Sequence, residues 1–568
     1  MRNLRLLCLL LFLSLGRVSS GETHDSADLI LLNGNIYTVN AAQPHAEAIA
    51  VKGERILLVG SNQEVKERAG AKTKTIDLHG RTVVPGFTDS HYHIFGVGER
   101  LITLNLDNAT SHKIFLEEVK QQVAATKPGQ WVAGRGWIET FWKPPVFPTR
   151  QELDKVAPDN PVFLTRADGH SAVANSKALE LAGINPKTPD PFGGRIVRDE
   201  KTGEATGMLL DNAMELVQKE IPAPSTEEQE RALSLGAKHS VELGWCEIHN
   251  PGSYLPEVAI MQKLYGEGKI KLRIYNAVWG PGPDAEKLLK TGPTLDAYDH
   301  HFTNRAIKVI FDGSLGSRSA ALLEPYSDEP GTSGFLTQKP EELRSMFREA
   351  LRKGIQVMTH AIGDRANHEI LNLYEEAFKA VPPDERKVKE PRWRVEHAQI
   401  LAAQDLARFA RLHVIASMQP SHAISDFFFA PRRLGEKRLR GAYAWESLLK
   451  SGAIVTAGSD APVEKGEPMI EFYAAVARKS INGFSAPDWH PEEKVSREQA
   501  LEMLTKWPAY AAFQENEKGA IEPGKLADLT ILSDDIMKIP EAEILKTRCL
   551  MTVIGGEIVY DSGQVARK

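Results

Sequence analysis

The sequence predicts an α/β chain: a (β/α)8 TIM barrel joined to a small composite β-sandwich built from both termini. Three observations predict it. Short strand patterns crowd the two ends of the 568-residue chain. The middle repeats an amphipathic helix, a tight turn and a short apolar run over about 400 residues, as a barrel of alternating helices and parallel strands requires. No GxGxxG follows any of these runs, which disfavours a doubly wound open sheet. Hydrophobic residues make up 42% and charged residues 25% of the chain, the values of a globular protein, and no repeat or low-complexity tract interrupts it.

The elements follow in chain order. MRNLRLLCLLLFLSLGRVSSGETHDS begins basic, runs apolar from Leu6 to Leu15 and ends in small residues. That run is too short to span a bilayer comfortably, so residues 1–20 read as a cleaved signal peptide, with an uncleaved anchor as the alternative. The protein is then exported, to the periplasm or the medium, with no stable membrane association after cleavage. Cys8 lies inside the apolar run, which argues against lipid attachment. Loss of Arg2, Arg5 and Arg17 moves the net charge from −6 to about −9, a poor balance for binding nucleic acid. Only Cys246 and Cys549 remain, so size and not cross-linking must supply stability.

Residues 27–84 alternate strand and turn: ADLILLNGNIYTV turns at Asn33-Gly34, and AIAVKGERILLVGS turns at Gly53. The closing segment 515–568 repeats this in LADLTILSDD and in CLMTVIGGEIVYDSG, a hairpin at Gly555-Gly556. The two segments are expected to meet in one sandwich, with the barrel in 85–514 and an insertion at about 101–230. TEEQERALSLGAKHSVELG, PEELRSMFREALRKG and DLARFARLHV are amphipathic helices leading into the apolar runs WCEIHN, IQVMTHAIGD and VIASMQPSH. SREQALEMLTKW opens on Ser496 and Gln499 in capping-box spacing.

In such a barrel chemistry gathers where strands finish. VVPGFTDSHYH ends on His91 and His93, which share a face, and Asp89 has the same parity. IQVMTHAIGD ends on His360, WRVEHAQI on His397 and AIVTAGSDAPV on Asp460. One such histidine is ordinarily structural or solvated. Five metal-type side chains at the same place in four runs predict a metal site. Imidazole and carboxylate suit Zn2+, with other divalent metals as alternatives. His91, His93 and Asp460 would seat one ion, and His360 and His397 a second.

Two adjacent cations need an anionic bridge. NRAIKVIFDGSLGSRSA places Lys308 inside an apolar run, where an ammonium must snorkel, pair or be chemically changed. Carboxylation by CO2 would turn it into a bridging carboxylate; Glu247 in GWCEIHN is the fallback bridge.

PGFTDSHYH, the strand lysine Lys308, THAIGD, VEHAQ and GSDAPV resemble, in their order, the amidohydrolase superfamily. DGHSAVANSKALELAGI, DGSLGSRSAAL and GAIEPGKLADLTIL look like its amidohydrolase-3 branch, which includes enzymes similar to N-substituted formamide deformylase. The likeness runs from about Leu29 to Val559. It implies the barrel with its two-ended sandwich, and His91, His93, Lys308, His360, His397 and Asp460 as the metal set.

The expected activity is hydrolysis of a non-peptide amide bond in a small N-substituted or N-acyl substrate by activated water, with Asp460 as acid and base. Cyclic amides, carbamates and esters are alternatives on the same site, and a non-catalytic exported binding protein is the reading from another class. A structural metal protein fits poorly, because its ion would be closed off by four protein groups. A homodimer is a further expected assembly. His170, Arg318 and His422 are candidates to contact the substrate carbonyl or its oxyanion, each equally readable as structural. Asp312 shares strand parity with Lys308, but Asp312-Gly313 also reads as a turn. In the insertion, WVAGRGWIETFWKPPVFPTR clusters Trp131, Trp137, Phe141 and Trp142. These are either a packed core or a lid whose Trp137 and Trp142 contact an apolar substituent.

Overall fold

Eight parallel strands form the barrel in the computed structural model, which describes residues 26–485 and 489–565. They are β1 (Phe87–Asp89), β2 (Trp245–Ser253), β3 (Arg273–Trp279), β4 (Phe302–Ile310), β5 (Gln356–Ala361), β6 (Arg394–His397), β7 (Ile415–Met418) and β8 (Val455–Ala457). Each pairs with the next in sequence order. The ring is nearly closed at the seam between β8 and β1. There Ser90 N–H donates to the Ala457 carbonyl at 3.1 Å and Asp460 N–H to the His91 carbonyl at 2.7 Å. The signal-peptide reading of residues 1–20 lies outside the described residues.

The helices around the barrel start and stop where local chemistry dictates. Thr226–Leu243 opens on a capping box of Ser225 and Glu228 and stops at Gly244, whose φ of 105° a side chain would resist. Its buried face, Ala232, Leu233, Gly236, Ala237 and Val241, packs on the helix Ile94–Arg100 just after β1. Small residues make this crossing: a Cβ on Gly98 would fall 1.8 Å from the Ala232 carbonyl oxygen. That contact fixes the segment following His91 and His93, so helix packing here reaches the site.

The two chain ends assemble one β-sandwich. A four-stranded sheet (Arg55–Gly60, Ala48–Lys52, Ala27–Leu32, Ala69–Asp77) faces a six-stranded one containing Thr82–Pro85, Leu529–Leu532 and Cys549–Ile554. Gly53 and the Gly555-Gly556 pair make hairpins. Asn33-Gly34 does not: Ala27–Leu32 and Asn35–Tyr37 belong to opposite sheets. The crossover lets Leu29 and Leu31 meet Ile36, Val83 and Leu529 in one core, which a flat hairpin would have denied them. Sandwich and barrel are joined by a buried ion pair, Arg273 donating to Asp528 at 2.8 and 3.0 Å.

Between β1 and β2 the chain builds a separate six-stranded sheet from Leu104–Asn105 to Ala205–Asp211, with its own apolar core. Trp137 and Trp142 are 0% and 2% exposed in that core. Their indole N–H groups donate to the carbonyls of Leu164 at 2.9 Å and Ala109 at 2.7 Å. They are buried in the insertion's own core, which corrects the expectation that they contact substrate. Large rings remove most apolar surface when fully enclosed, and here the sheet's own helices enclose them.

Candidate active site

The C-terminal ends of the barrel strands bring six side chains to one place. His91 and His93 follow β1 directly, Lys308 lies near the end of β4, His360 in β5, His397 at the end of β6, and Asp460 just after β8. Strand register explains the convergence: Ile310 of β4 pairs with His360, and Ala361 of β5 with His397. Ring centroids of His91 and His397 are 4.7 Å apart, and those of His360 and His397 4.5 Å. His93 Nε2 is 3.1 Å and His91 Nε2 3.6 Å from Asp460 Oδ1. Lys308 Nζ lies 3.3 Å from His91 Nε2.

Backbone strain accompanies this geometry. His397 (φ 73°) and Asp460 (φ 59°) both sit in the left-handed region, a conformation costing of order 1–3 kcal/mol that surrounding structure must impose. At Asp460 the imposing group is Asp89. Its carboxylate accepts from Ser459 N–H at 3.0 Å and Ser459 Oγ–H at 2.6 Å, and from His91 N–H at 3.0 Å. Asp89 is thus a clamp between the two strand ends, and burial raises its pKa to about 7.

The donor set fits a divalent cation. Ligand-type atoms of His91, His397 and Asp460 lie within 4.8 Å of one another. Asp460 Oδ1 and His422 Nε2 are buried without a well-aligned hydrogen bond, so they are free to serve something else. Burial, reinforced by the nearby Lys308 charge, pushes the pKa values of His91, His360 and His397 well below the usual imidazole range, leaving neutral nitrogens with lone pairs. Burial works to raise the pKa of Asp460, but His93, His422 and Lys308 outweigh it and hold the carboxylate ionised. Neutral imidazoles and an ionised carboxylate are the forms in which these groups bind metal.

Lys308 is enclosed, and burial lowers its ammonium to about 8 against the opposing pull of Glu396 and Asp460. A fraction of neutral amine therefore exists near neutrality. Glu247, the other candidate bridge, is not at the site. It sits at the opposite end of the barrel, at the start of β2, in a buried ion pair with Lys518.

The remaining candidates separate. His170 lies beside the centre, its ring 4.9 Å from His360 and its Nδ1 2.7 Å from Asp211. Burial opposes protonation there, but Asp211 prevails and raises the pKa. His422 stacks near His397 at 5.9 Å, with Nε2 3.7 Å from Asp460. Arg318 does not reach a cleft: it pairs with Asp328 at 3.0 Å and Glu329 at 3.2 Å, which corrects its placement at the substrate. Asp312 is a turn holder, accepting from the N–H groups of Ala321, Ile362 and Gly363 at 2.8–2.9 Å.

Several contributors escaped sequence reasoning. Glu396 Oε2 accepts from His91 Nδ1 at 2.5 Å, and Arg394 Nε lies 2.7 Å from Glu396 Oε1. Arg394 also bonds Ser417 Oγ at 2.7 Å and His249 Nδ1 at 2.8 Å. Gln419 Oε1 is 2.7 Å from His397 Nδ1. These partners fix which ring nitrogen of each histidine faces the centre. A signal existed in WRVEHAQI: two charged residues two apart in an apolar strand must both point inward.

Two clefts, of about 360 and 620 Å3, open onto the centre and share His170, His360, His397 and Asp460 in their walls. Arg135, Asp168 and His170 of the insertion form part of the larger one.

Comparison with known proteins is consistent with this geometry. Residues 74–560 match the profile of the Amidohydrolase family. The chain is 36% identical over 551 residues to protein LONG AFTER FAR-RED 3 of Arabidopsis thaliana, spanning 94% of this chain and 92% of that one. It is 29% identical over 549 residues to the N-substituted formamide deformylase of Arthrobacter pascens, spanning 94% and 98%. Among solved structures, an uncharacterized metal-dependent hydrolase from Pyrococcus horikoshii OT3 superposes with a TM-score of 0.72 at 29% identity, over 90% of this chain and 99% of that one.

Proposed function

This chain belongs to the amidohydrolase family, and from that premise we propose that it hydrolyses the amide bond of a small N-substituted or N-acyl substrate. It is a metal-dependent hydrolase of carbon–nitrogen bonds other than peptide bonds. The observation that carries the reading is the convergence of His91, His397 and Asp460 within 4.8 Å at the open end of the barrel.

His91, His93 and Asp460 would hold one Zn2+ ion and His360 and His397 a second, with Lys308, carboxylated on its amine, as the anionic group between them. Such ions would supply Lewis acidity towards the amide carbonyl and the attacking water. The chain's own groups do the rest. Asp460 accepts the proton of the attacking water and delivers it to the departing nitrogen, without which an amide anion would be a very poor leaving group. His170 and His422 flank the centre, where they are placed to donate to the tetrahedral oxygen. Glu396 and Gln419 hold the histidine rings in orientation. The same site could act on cyclic amides, carbamates or esters, and substrate choice lies in the clefts.

Metal content of the purified protein, paired with a screen of formamides, N-acyl amino acids and cyclic amides, tests the reading. About two tightly bound ions and turnover of one class are expected. Absence of tight metal, or retained metal with no hydrolysis of any amide, would overturn it. Export belongs to the same proposal, and the mass of the mature N-terminus checks it.

A further inference from the structure

Arg135 is a cation in the wall of the larger cleft with no carboxylate of its own. It shares that wall with His91, His360, His397 and Asp460 of the centre. Its Nη2 donates to the Ala167 carbonyl at 3.0 Å, and its buried Nε has no acceptor. Asp460, Asp168, Asp107 and Glu99 act on it through space, but none forms an ion pair with it among the described residues. Asp168 accepts from Arg166 at 2.7 Å and Ser314 at 2.8 Å, Asp107 pairs with Arg100 at 3.5 Å, Asp460 belongs to the centre, and Glu99 is exposed. Burial outweighs the pull of all four and lowers the Arg135 guanidinium below its usual range. Arg166 shows the opposite outcome. Burial opposes its charge too, but Glu139 and Asp168, each bonded at 2.7 Å, prevail and raise it.

The chain delivers this side chain through a local irregularity. Arg135 lies on the strand Val132–Trp137, whose pairing with Val162–Arg166 shifts register between Arg135 and Trp137. The residue between them is Gly136, with a φ of 117°, where a Cβ would fall 2.1 Å from Asp107 Oδ1. Such bulges re-aim side chains. Gly169 then leaves room for the guanidinium, since a Cβ there would lie 3.0 Å from Arg135 Nη2. The other acids of the wall are already served or face solvent: Asp211 by His170 at 2.7 Å, Glu257 by Tyr254 N–H at 2.7 Å, Asp284 by Leu255 N–H at 3.4 Å, with Glu215 exposed. The unmet group is therefore a guanidinium, whose planar fork matches a carboxylate and whose burial is costly without a partner. Lys308, the other Lys or Arg in this wall, sits at the centre, so a lone arginine here suits a monoanion.

We propose that Arg135 is a carboxylate-binding residue of the larger cleft, and that the substrate is an amide with a carboxylate on the arm that enters it. The guanidinium holds that carboxylate while the amide carbonyl reaches the centre. The insertion, and not the barrel, thus selects the substrate by charge. The amide part rests on the hydrolase reading above, whereas the anion subsite does not.

The test uses pairs of acetamides on the metal-loaded protein, each carboxylate matched to an alcohol of the same length, with released acetate as the readout. N-acetylglycine, N-acetyl-β-alanine and 4-acetamidobutyrate are paired with N-(2-hydroxyethyl)-, N-(3-hydroxypropyl)- and N-(4-hydroxybutyl)acetamide, so that the series spans the reach from centre to guanidinium. In the best pair the carboxylate should exceed the alcohol in kcat/KM by about tenfold or more, the worth of a charge-assisted hydrogen bond. R135Q should shrink that ratio to about threefold or less, mainly through KM. R135K keeps the charge without the fork and should lower the ratio partway, which serves if R135Q fails to fold. Calorimetric titration with hexane-1-sulfonate, an anion that ligates Zn2+ poorly, and with hexan-1-ol separates the two claims. Tighter sulfonate binding that is lost in R135Q upholds the subsite even if no amide is cleaved, in which case only the hydrolase reading fails. Equal binding of sulfonate by native and R135Q protein, or a carboxylate-to-alcohol ratio near one or unchanged by R135Q, overturns the proposal.

Discussion

Replacing Glu396 by Gln tests whether the buried network behind His91 sets metal affinity. In the native protein one carboxylate serves two donors, His91 Nδ1–H at 2.5 Å and Arg394 at 2.7 Å, with all three side chains no more than 1% exposed. A carboxamide has one acceptor oxygen and an NH2 group. If the oxygen serves Arg394, the NH2 meets His91 Nδ1 and forces the tautomer that carries hydrogen on Nε2, the nitrogen facing Asp460. If it serves His91, Arg394 is left facing a donor in a dry interior. The first outcome predicts a loss of about 10–100-fold in metal affinity, or about 1.4–2.8 kcal/mol. The second predicts destabilisation of the metal-free fold by about 3 kcal/mol. That is the low end for a broken buried pair, because Arg394 keeps the Ser90 carbonyl and Ser417. Zn2+ competition with a fluorescent chelator, and denaturant unfolding of the chelated protein, read the two. A dissociation constant within twofold of the native value together with unchanged stability would refute the reasoning.

Asp460→Asn should lower kcat by about 10²–10⁴-fold for the loss of proton transfer, while metal content measured on the same sample falls far less. Lys308→Met should abolish any bicarbonate-dependent gain in bound metal. In the metal-free protein the folded lysine, with its pKa lowered to about 8, binds fewer protons than the unfolded one between pH 8 and 10.5. Native stability relative to Lys308→Met should therefore rise with pH across that window, by an amount of order 3 kcal/mol, and be flat below it. Trp137→Ala should cost about 3–5 kcal/mol of stability in denaturant unfolding through the cavity it leaves in the insertion. Its effect on KM should not depend on the size of the substrate's apolar substituent, which a kinetic series would show.

The barrel was legible because helix and strand periods differ and repeat. Each amphipathic helix declares its buried face, and each apolar run declares a strand with both faces covered. Five of the six residues at the centre were legible for a related reason: they end those runs, and a strand's end is a place that sequence can mark, while Lys308 stood out as a charge inside one. Asn33-Gly34 misled because a hairpin and a crossover between sheets share turn chemistry. Only the shared core of Leu31 and Ile36 distinguishes them.

Arg318 and the two tryptophans show where local pattern runs out. Arg318 meets Asp328 only ten residues on, but which way the loop folds to allow it is not written in the local pattern, and whether an indole faces a cleft or its own sheet depends on segments further along the chain. The sequence by itself determined the alternation of elements and the chemical kind of each side chain at the strand ends, since both are properties of neighbours along the chain. Tertiary structure alone decided that Glu396 orients His91 and that Glu247 belongs to Lys518. Those are questions of distance through space, and chain separation carries no measure of it until the barrel closes.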